Sequence, residues 1–292
     1  MLIRTVLTDL TAADQRLSKL QRQLSSGKQI TRPSDDPYAA GRAMALRGEL
    51  EATRQQRRNV VEAQGWMTVT ETALAKIVDL AQRARELIVQ GASDQPQAGR
   101  DAIADEIDQL TAAMKQEADA TYDGRYVLSG TRTDVRPYDP SSPGDAYAGD
   151  SGDIVRQIGP GVSLNIGVRG DDVLGGPATG GGDLLRVMRD VAAHLRAGDT
   201  ASLGTTDLEA LSDQIDNALG VRARVGASVN RLDTAAARLA EVEESATGLL
   251  SQTEDADMAS TIVAYSTQQS VYQTALKAGA NIVQMSLLDF LR

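Results

Sequence analysis

The residues able to do chemistry are few in this chain, and none has the companions that its chemistry needs. His194 is the single histidine among 292 residues, and cysteine is absent. A general base or a zinc ligand at His194 would need a second His, a Cys or a placed nucleophile, so a structural or surface place is expected for it. Asp145, Asp150 and Asp153 lie in a glycine-rich stretch and could offer oxygens to calcium. They lack the regular ligand alternation and the closing Glu of a calcium loop, and a solvated loop is expected instead. Gly27-Lys28 is half of a phosphate-binding loop, but Gln29 stands where Ser or Thr is needed and Arg22 where the first glycine belongs. Arg169-Gly170-Asp171 spells an adhesion tripeptide, which any long chain can reach by chance. Asp255 and Asp257 precede the last helical stretch, where a carboxylate offsets the helix dipole. These residues predict no catalytic site, no metal, no cofactor and no enzyme.

What does recur is apolar spacing, and it recurs at both ends. The N-terminal stripe is Ile3, Val6, Leu10, Ala13, Leu17, Leu20 and Leu24; the C-terminal one is Met258, Ile262, Tyr265, Gln269, Tyr272, Leu276, Gly279 and Val283, with Leu287 continuing it. Steps alternating between three and four give a seam that drifts slowly around a helix and seeks another helix. These residues are the candidate subunit interface.

Composition agrees with closely approaching helices. Phe290 is the only Phe and Trp66 the only Trp, so Ala, Leu, Val and Ile must do the packing. Without cysteine there is no disulfide to staple the fold. The net charge of −10 argues against nucleic-acid binding. Residues 1–58 nonetheless hold 11 Lys and Arg against 6 Asp and Glu, a basic arm that could complement an acidic surface in an assembly. No apolar run reaches the length of a membrane span, and the first residues lack the pattern of a cleaved signal peptide.

Along the chain, a first helix is predicted from Thr5 to Ser25, stopped by Gly27. A polar connector containing Ser26, Gly27, Arg32, Pro33, Ser34, Asp35, Asp36 and Pro37 follows. Asp35 or Asp36 can cap the next helix, with Pro37 at its first position. That helix can run uninterrupted to Gln90, roughly 50 residues and about 80 Å. A turn at 91–96 and a helix over 98–120 complete an antiparallel hairpin. Gly124 to Thr131 reads as a short strand, and 154–158 and 162–166 as further β runs within a glycine-, proline- and aspartate-rich insertion. Helix resumes over 183–197. Thr206 and Glu209 form a capping-box pattern for a long helix to Leu250, and the stretch 251–255 interrupts it before the terminal helix.

The connector Leu24-Ser25-Ser26-Gly27-Lys28-Gln29-Ile30-Thr31-Arg32-Pro33-Ser34-Asp35-Asp36-Pro37 resembles a signature of the flagellin superfamily, and its Arg-Pro-Ser-Asp-Asp-Pro end resembles the variant of that superfamily's hook–filament junction branch. Gly124 to Thr131, Glu254 to Ala259 and Ala278 to Leu291 resemble further segments of the same family. The resemblance implies a mainly α fold: a long helical bundle with terminal coiled-coil helices and a small β-rich insertion. It implies a terminal coiled-coil domain (1–34 with 254–292), a helical rod (35–125 with 183–253) and an outward insertion (126–182). It also implies export through the flagellar type III apparatus with the help of a chaperone, and a homo-oligomeric ring on the flagellum between hook-associated protein 1 and the first flagellin. The alternatives are a filament-forming flagellin and a secreted helical effector or adhesin that uses its insertion loops. Isolated helices of this length are marginal in water, so both ends are expected to gain order on assembly.

Overall fold

A computed structural model of the protein describes residues 2–142, 144–176 and 183–290, without the side chains of Leu2, Ile3, Val6 and 281–290. The sequence of elements is α1 (Leu2–Ser26), α2 (Pro37–Gly91), α3 (Gln97–Ala118), β1 (Thr121–Tyr122), β2 (Arg125–Tyr126), β3 (Val155–Gly159), β4 (Val162–Asn165), α4 (Leu184–Ala197), α5 (Thr200–Ser202), α6 (Leu208–Glu254) and α7 (Met258–Phe290). The fold is mainly α with a small β part, and among the described residues no helix is long and apolar enough to cross a membrane.

Contacts divide the chain into two compact units: Met1–Thr53 with Glu241–Arg292, and Arg54–Ala240. The divisions fall inside α2 and α6, away from the connector boundaries near 34 and 254 that the sequence suggested. The insertion is not a body of its own either. Leu128, Tyr138, Ile158, Leu164, Ile166, Val173 and Leu174 are buried in the same apolar cluster as the helices of the second unit. Loops this poor in apolar residues can exclude water only by sharing a neighbour's core.

That core explains why these helices form where they do. Met67, Leu74, Ile77, Ala81, Ala84 and Ile88 recur at helical spacing on α2 and meet Ile103, Ile107 and Met114 of α3. Leu184, Met188, Val191 and Leu195 of α4 complete it, with Leu211, Ile215, Val221 and Val225 of α6. Each large side chain so buried contributes about 1.5–3 kcal/mol. Ion pairs rim the helices: Lys76 with Glu117 at 3.0 Å, Arg83 with Glu106 at 3.0 Å, and Arg222 with Glu71 at 2.6 Å.

Two local expectations are corrected. The stretch from Gly124 to Thr131 is not one strand; β1 and β2 pair antiparallel, Tyr122 opposite Arg125, around Asp123 and Gly124. Both turn residues have positive φ, 50° and 72°, the tight hairpin geometry that turns the chain within two residues. The capping box at Thr206 and Glu209 does not open a helix. The helical path begins earlier, where Asp199 accepts hydrogen bonds from the Ser202 amide (3.1 Å) and hydroxyl (2.6 Å). A π turn over Leu203–Asp207 then carries the chain into α6, so no amide near Thr206 needs a cap. β3 and β4 pair as an antiparallel hairpin, Arg156 opposite Leu164.

Candidate assembly surface

Within the first unit α1 and α7 lie along each other. From α1, Leu10, Leu17, Leu20 and Leu24 are half-buried and Ala13 is buried. From α7, Thr261 and Gly279 are buried, and Tyr265, Gln268, Tyr272 and Ala275 are half-buried. The steps along α7 are again four and three, and the small residues let the two backbones come close. Gln268 Nε2 donates to the Ala13 carbonyl at 3.4 Å across the pair.

The seam on α7 is therefore offset from the apolar stripe read in the sequence. Tyr265, Tyr272 and Gly279 belong to it, but Met258, Ile262, Gln269 and Leu276 do not. Met258, Ile262 and Leu276 are 42%, 54% and 44% exposed on one flank of the seam, and Val263 and Val271 are exposed on other sides of α7. On α1, Leu7 is exposed as well. Thr261, Gln268 and Ala275 take inward places between Tyr265 and Tyr272, so smaller and larger side chains alternate along the seam. The single chain thus leaves Met258, Ile262 and Leu276 uncovered along one flank of α7. The side chains of Ile3, Val6, Val283 and Leu287 lie outside the described residues.

The connector is tied to the elbow between α6 and α7 by a compact joint. Gly27, at φ +70°, ends α1 with its amide on the Gln23 carbonyl, a left-handed stop that other residues adopt only with strain. Lys28 then pairs antiparallel with Asp255. The Gln29 amide donates to the Glu254 carbonyl at 2.7 Å, and the Ala256 amide to the Gly27 carbonyl at 2.9 Å. The Glu254 side chain, 7% exposed, accepts from Lys28 Nζ at 2.7 Å on one oxygen and from Arg47 on the other. Sequence reasoning missed Glu254, because its partner Lys28 lies 226 positions away and no local pattern marks it.

Connector residues close the rest. Asp35 Oδ2 accepts from the Thr31 amide (3.2 Å), the Thr31 hydroxyl (2.9 Å) and the Arg32 amide (3.0 Å). Burial alone would raise the Asp35 carboxyl, but these bonds, with Lys19 at 3.9 Å, bring it below its ordinary value. Asp36 Oδ1 accepts from the Ala39 amide at 3.0 Å and caps α2, with Pro37 at its first position. Pro33 and Ser34 are exposed at the outer bend, while Ser26 ties back to the Arg22 carbonyl at 2.8 Å. Asp257 Oδ1 caps α7 through the Ala259 amide at 3.0 Å, whereas the Asp255 carboxylate accepts from the Ser251 hydroxyl at 2.5 Å.

The groups considered for chemistry are spent on structure. His194 Nδ1 lies 2.7 Å from the buried Asp207 carboxylate, and that hydrogen bond raises the imidazole above its ordinary pKa. Asp145 pairs with Arg189 and, at 3.4 Å, with Lys115. Asp150 accepts from the Thr131 amide at 2.6 Å, and Asp153 from Asn165 at 2.8 Å. Among the described residues no group of three His, Cys, Asp or Glu is placed to hold a metal ion. Gly170 and Asp171 are buried in a 3-10 turn, and Arg169 pairs with Asp172, so the adhesion tripeptide is not displayed.

Two family models match the chain: the bacterial flagellin N-terminal helical region over residues 1–133, and the bacterial flagellin C-terminal helical region over 208–291. The chain is similar to flagellar hook-associated protein 3 of Salmonella typhimurium, 26% identical over 314 residues that cover 100% of this chain and 98% of that protein. It is also similar to a flagellin of Bacillus subtilis, 29% identical over 98% of this chain and 96% of the other. In fold it resembles flagellar hook associated protein-3 of Legionella pneumophila, with a TM-score of 0.63 at 13% identity, over 72% of this chain and 98% of that one. The two matched regions hold α1 and α2 at one end and α6 and α7 at the other, the elements that build the seam and the joint. With both regions in place and relatives aligned along almost its whole length, the chain belongs to the flagellin superfamily, structural proteins of the bacterial flagellum.

Proposed function

We propose that the protein is the structural subunit of the hook–filament junction, assembling as a ring with copies of itself, with hook-associated protein 1 on one side and flagellin on the other. The observation that carries this reading is the pair of terminal helices. α1 and α7 cover each other only in part and leave Met258, Ile262 and Leu276, which lie on one flank of α7, uncovered. Exposed apolar side chains aligned along one flank of a helix are what a neighbouring subunit would cover. The connector variant from Arg32 to Pro37 and the similarity to hook-associated protein 3 favour the junction over the filament. Delivery through the flagellar type III apparatus, with a chaperone holding the terminal helices, belongs to the same reading, as does the absence of enzymatic activity. Labelling with an antibody along intact flagella tests it: label at one point where hook meets filament is expected, and label along the filament would overturn it.

The second reading, a filament-forming flagellin, is favoured by the 29% identity to the Bacillus subtilis protein along nearly the whole chain. Purified flagellin grows long filaments under polymerising salt, and a junction subunit does not. Electron microscopy of the salted protein separates the two.

A further inference from the structure

Within the second unit, α6 carries its outward charges in separate blocks. From Leu208 to Val221 it holds no Lys or Arg, and Glu209, Asp213 and Asp216 are all exposed. Arg224, Arg231 and Arg238 follow at steps of seven and are exposed as well. At about 100° per residue the six fall within an arc of about 80°, opposite the buried Leu211, Ala218, Val225 and Leu232. None of the six makes an ion pair among the described residues. We infer that this face is a contact between copies, in which the Glu209–Asp216 carboxylates of one copy lie along the Arg224–Arg231 row of a neighbour pointing the same way. Glu209 and Asp216 share the spacing of the arginines. A displacement of 15 residues, about 22 Å, therefore sets Glu209 against Arg224 and Asp216 against Arg231, with Asp213 between them. This rests on the ring reading above and adds to it that contacting copies are stepped along α6, not level.

A helix face that only meets water gains by mixing its signs. α4 does so: Arg186 pairs with Asp183 at 2.9 Å and with Asp190 at 3.0 Å. α6 does the opposite. Asp213 stands four residues after Glu209 and three before Asp216, and like charges at those spacings weaken a helix. The helix dipole does not repay this, because the helical path starts at Asp199, more than two turns earlier, and the dipole acts within the first turn. The arginine row is not neutralised from within either. Asp172 lies beside Arg224 but pairs with Arg169, Asp233 accepts from Gln64 at 2.7 Å, and Glu241 comes one turn past Arg238. The two blocks match each other in sign, number and spacing, yet one rigid helix holds them too far apart to meet. A second copy supplies the missing half to each. Two different, matching patches on one chain make a head-to-tail contact, and copies related by rotation about one axis point the same way. Gly220, Ala223 and Ala227 lie between the charges and leave room for another helix to approach.

Charge reversal tests both the face and its occupant, in cells that lack the native chain. One variant carries Glu209→Arg, Asp213→Arg and Asp216→Arg; a second carries Arg224→Glu, Arg231→Glu and Arg238→Glu; a third carries all six. In the first two, like charges face each other across the contact, and each is expected in isolated flagella at least about tenfold below the parent. The third exchanges the blocks, so its copies match one another again and incorporation returns. Parent-level incorporation of either single-block variant overturns the contact. A six-fold variant that melts like the parent but incorporates no better than the first two also overturns it, because the face then meets a different protein. Cysteine pairing keeps the contact testable should a reversed chain fail to fold, since the chain has no cysteine of its own. Asp216→Cys and Arg231→Cys, on differently tagged chains, are co-expressed and isolated flagella are mildly oxidised. A product of twice the 31.0 kDa chain mass carrying both tags is expected. Its absence from flagella holding both chains, or a stronger product from Asp216→Cys with Arg224→Cys, overturns the stepped arrangement. Absence of the unsubstituted chain from isolated flagella overturns the junction reading itself.

Discussion

Replacing Glu254 by Gln keeps the shape of the joint and removes its charge. The carboxylate is nearly buried, but its partners are not: the Lys28 and Arg47 side chains are 40% and 50% exposed and can return to water. The cost is thus well below the 3–5 kcal/mol of a fully buried broken pair. The amide oxygen still accepts from one of the two cations, but the amide NH2 cannot accept from the other, so one charge-assisted hydrogen bond is lost, about 1–2 kcal/mol in total. The joint opens locally, so the readout is hydrogen exchange at the Gln29 and Ala256 amides, which bridge connector and elbow. By the same arithmetic their exchange speeds up roughly 5–30-fold. Amides of the second unit, such as Ile107, stay unchanged. Raising the salt speeds these two amides in the parent and has less effect in the variant. Equal rates in parent and variant would refute the role given to Glu254, and a uniform rise across both units would show global destabilisation instead.

Three further outcomes are expected. Leu276→Asp, on the uncovered face, changes monomer stability by less than about 0.5 kcal/mol yet stops incorporation into flagella, while Leu17→Asp in the seam does both harms; thermal melting and complementation of motility check them. Asp119, largely buried at the end of α3 near Arg136, has its carboxyl pushed up to about 6 by burial. Because the folded pKa exceeds the unfolded value of 3.8, its stabilising contribution is full below that value and is lost as pH rises to about 6. Asp119→Asn therefore flattens that part of the stability profile, measured by denaturant titration at several pH values; an unchanged slope between pH 4 and 6 refutes it. His194 is raised by Asp207, so its contribution is full below 6.5 and disappears as pH climbs through its higher folded pKa. In His194→Gln that loss above pH 6.5 is absent from the melting curve.

Much of the helical frame was readable because its signals are local. Gly27 and the Asp36-Pro37 start mark the ends of α1 and α2, and the chain between Pro37 and Gly91 holds no proline to break it. The β3–β4 hairpin was readable for the same reason. What escaped depends on distant partners or on size. Glu254 looks like any helix-end carboxylate until Lys28 and Arg47 arrive from far along the chain. The inward face of α7 was misplaced by following the largest apolar residues, Met258, Ile262 and Leu276. The inward face instead interleaves Thr261, Gln268, Ala275 and Gly279 with Tyr265 and Tyr272. The start of the path into α6 was missed because Asp199 caps a helical turn that a π segment then joins to the long helix.

That π segment sets the rotational phase of everything after it. A wider turn absorbs about one more residue than an α-helix allows for the same advance, and each residue of an α-helix rotates the chain by about 100°. The five residues from Leu203 to Asp207 thus decide which side of the 47-residue α6 turns inward. Removing one of them would not break the helix; it would turn Leu211, Ile215, Ala218 and Val221 away from the core together. A single deletion at this point, in a stretch exposed at Gly204, Thr205 and Thr206, would be felt dozens of residues downstream. Lengthening or shortening this turn is therefore far less tolerated than its exposed residues suggest.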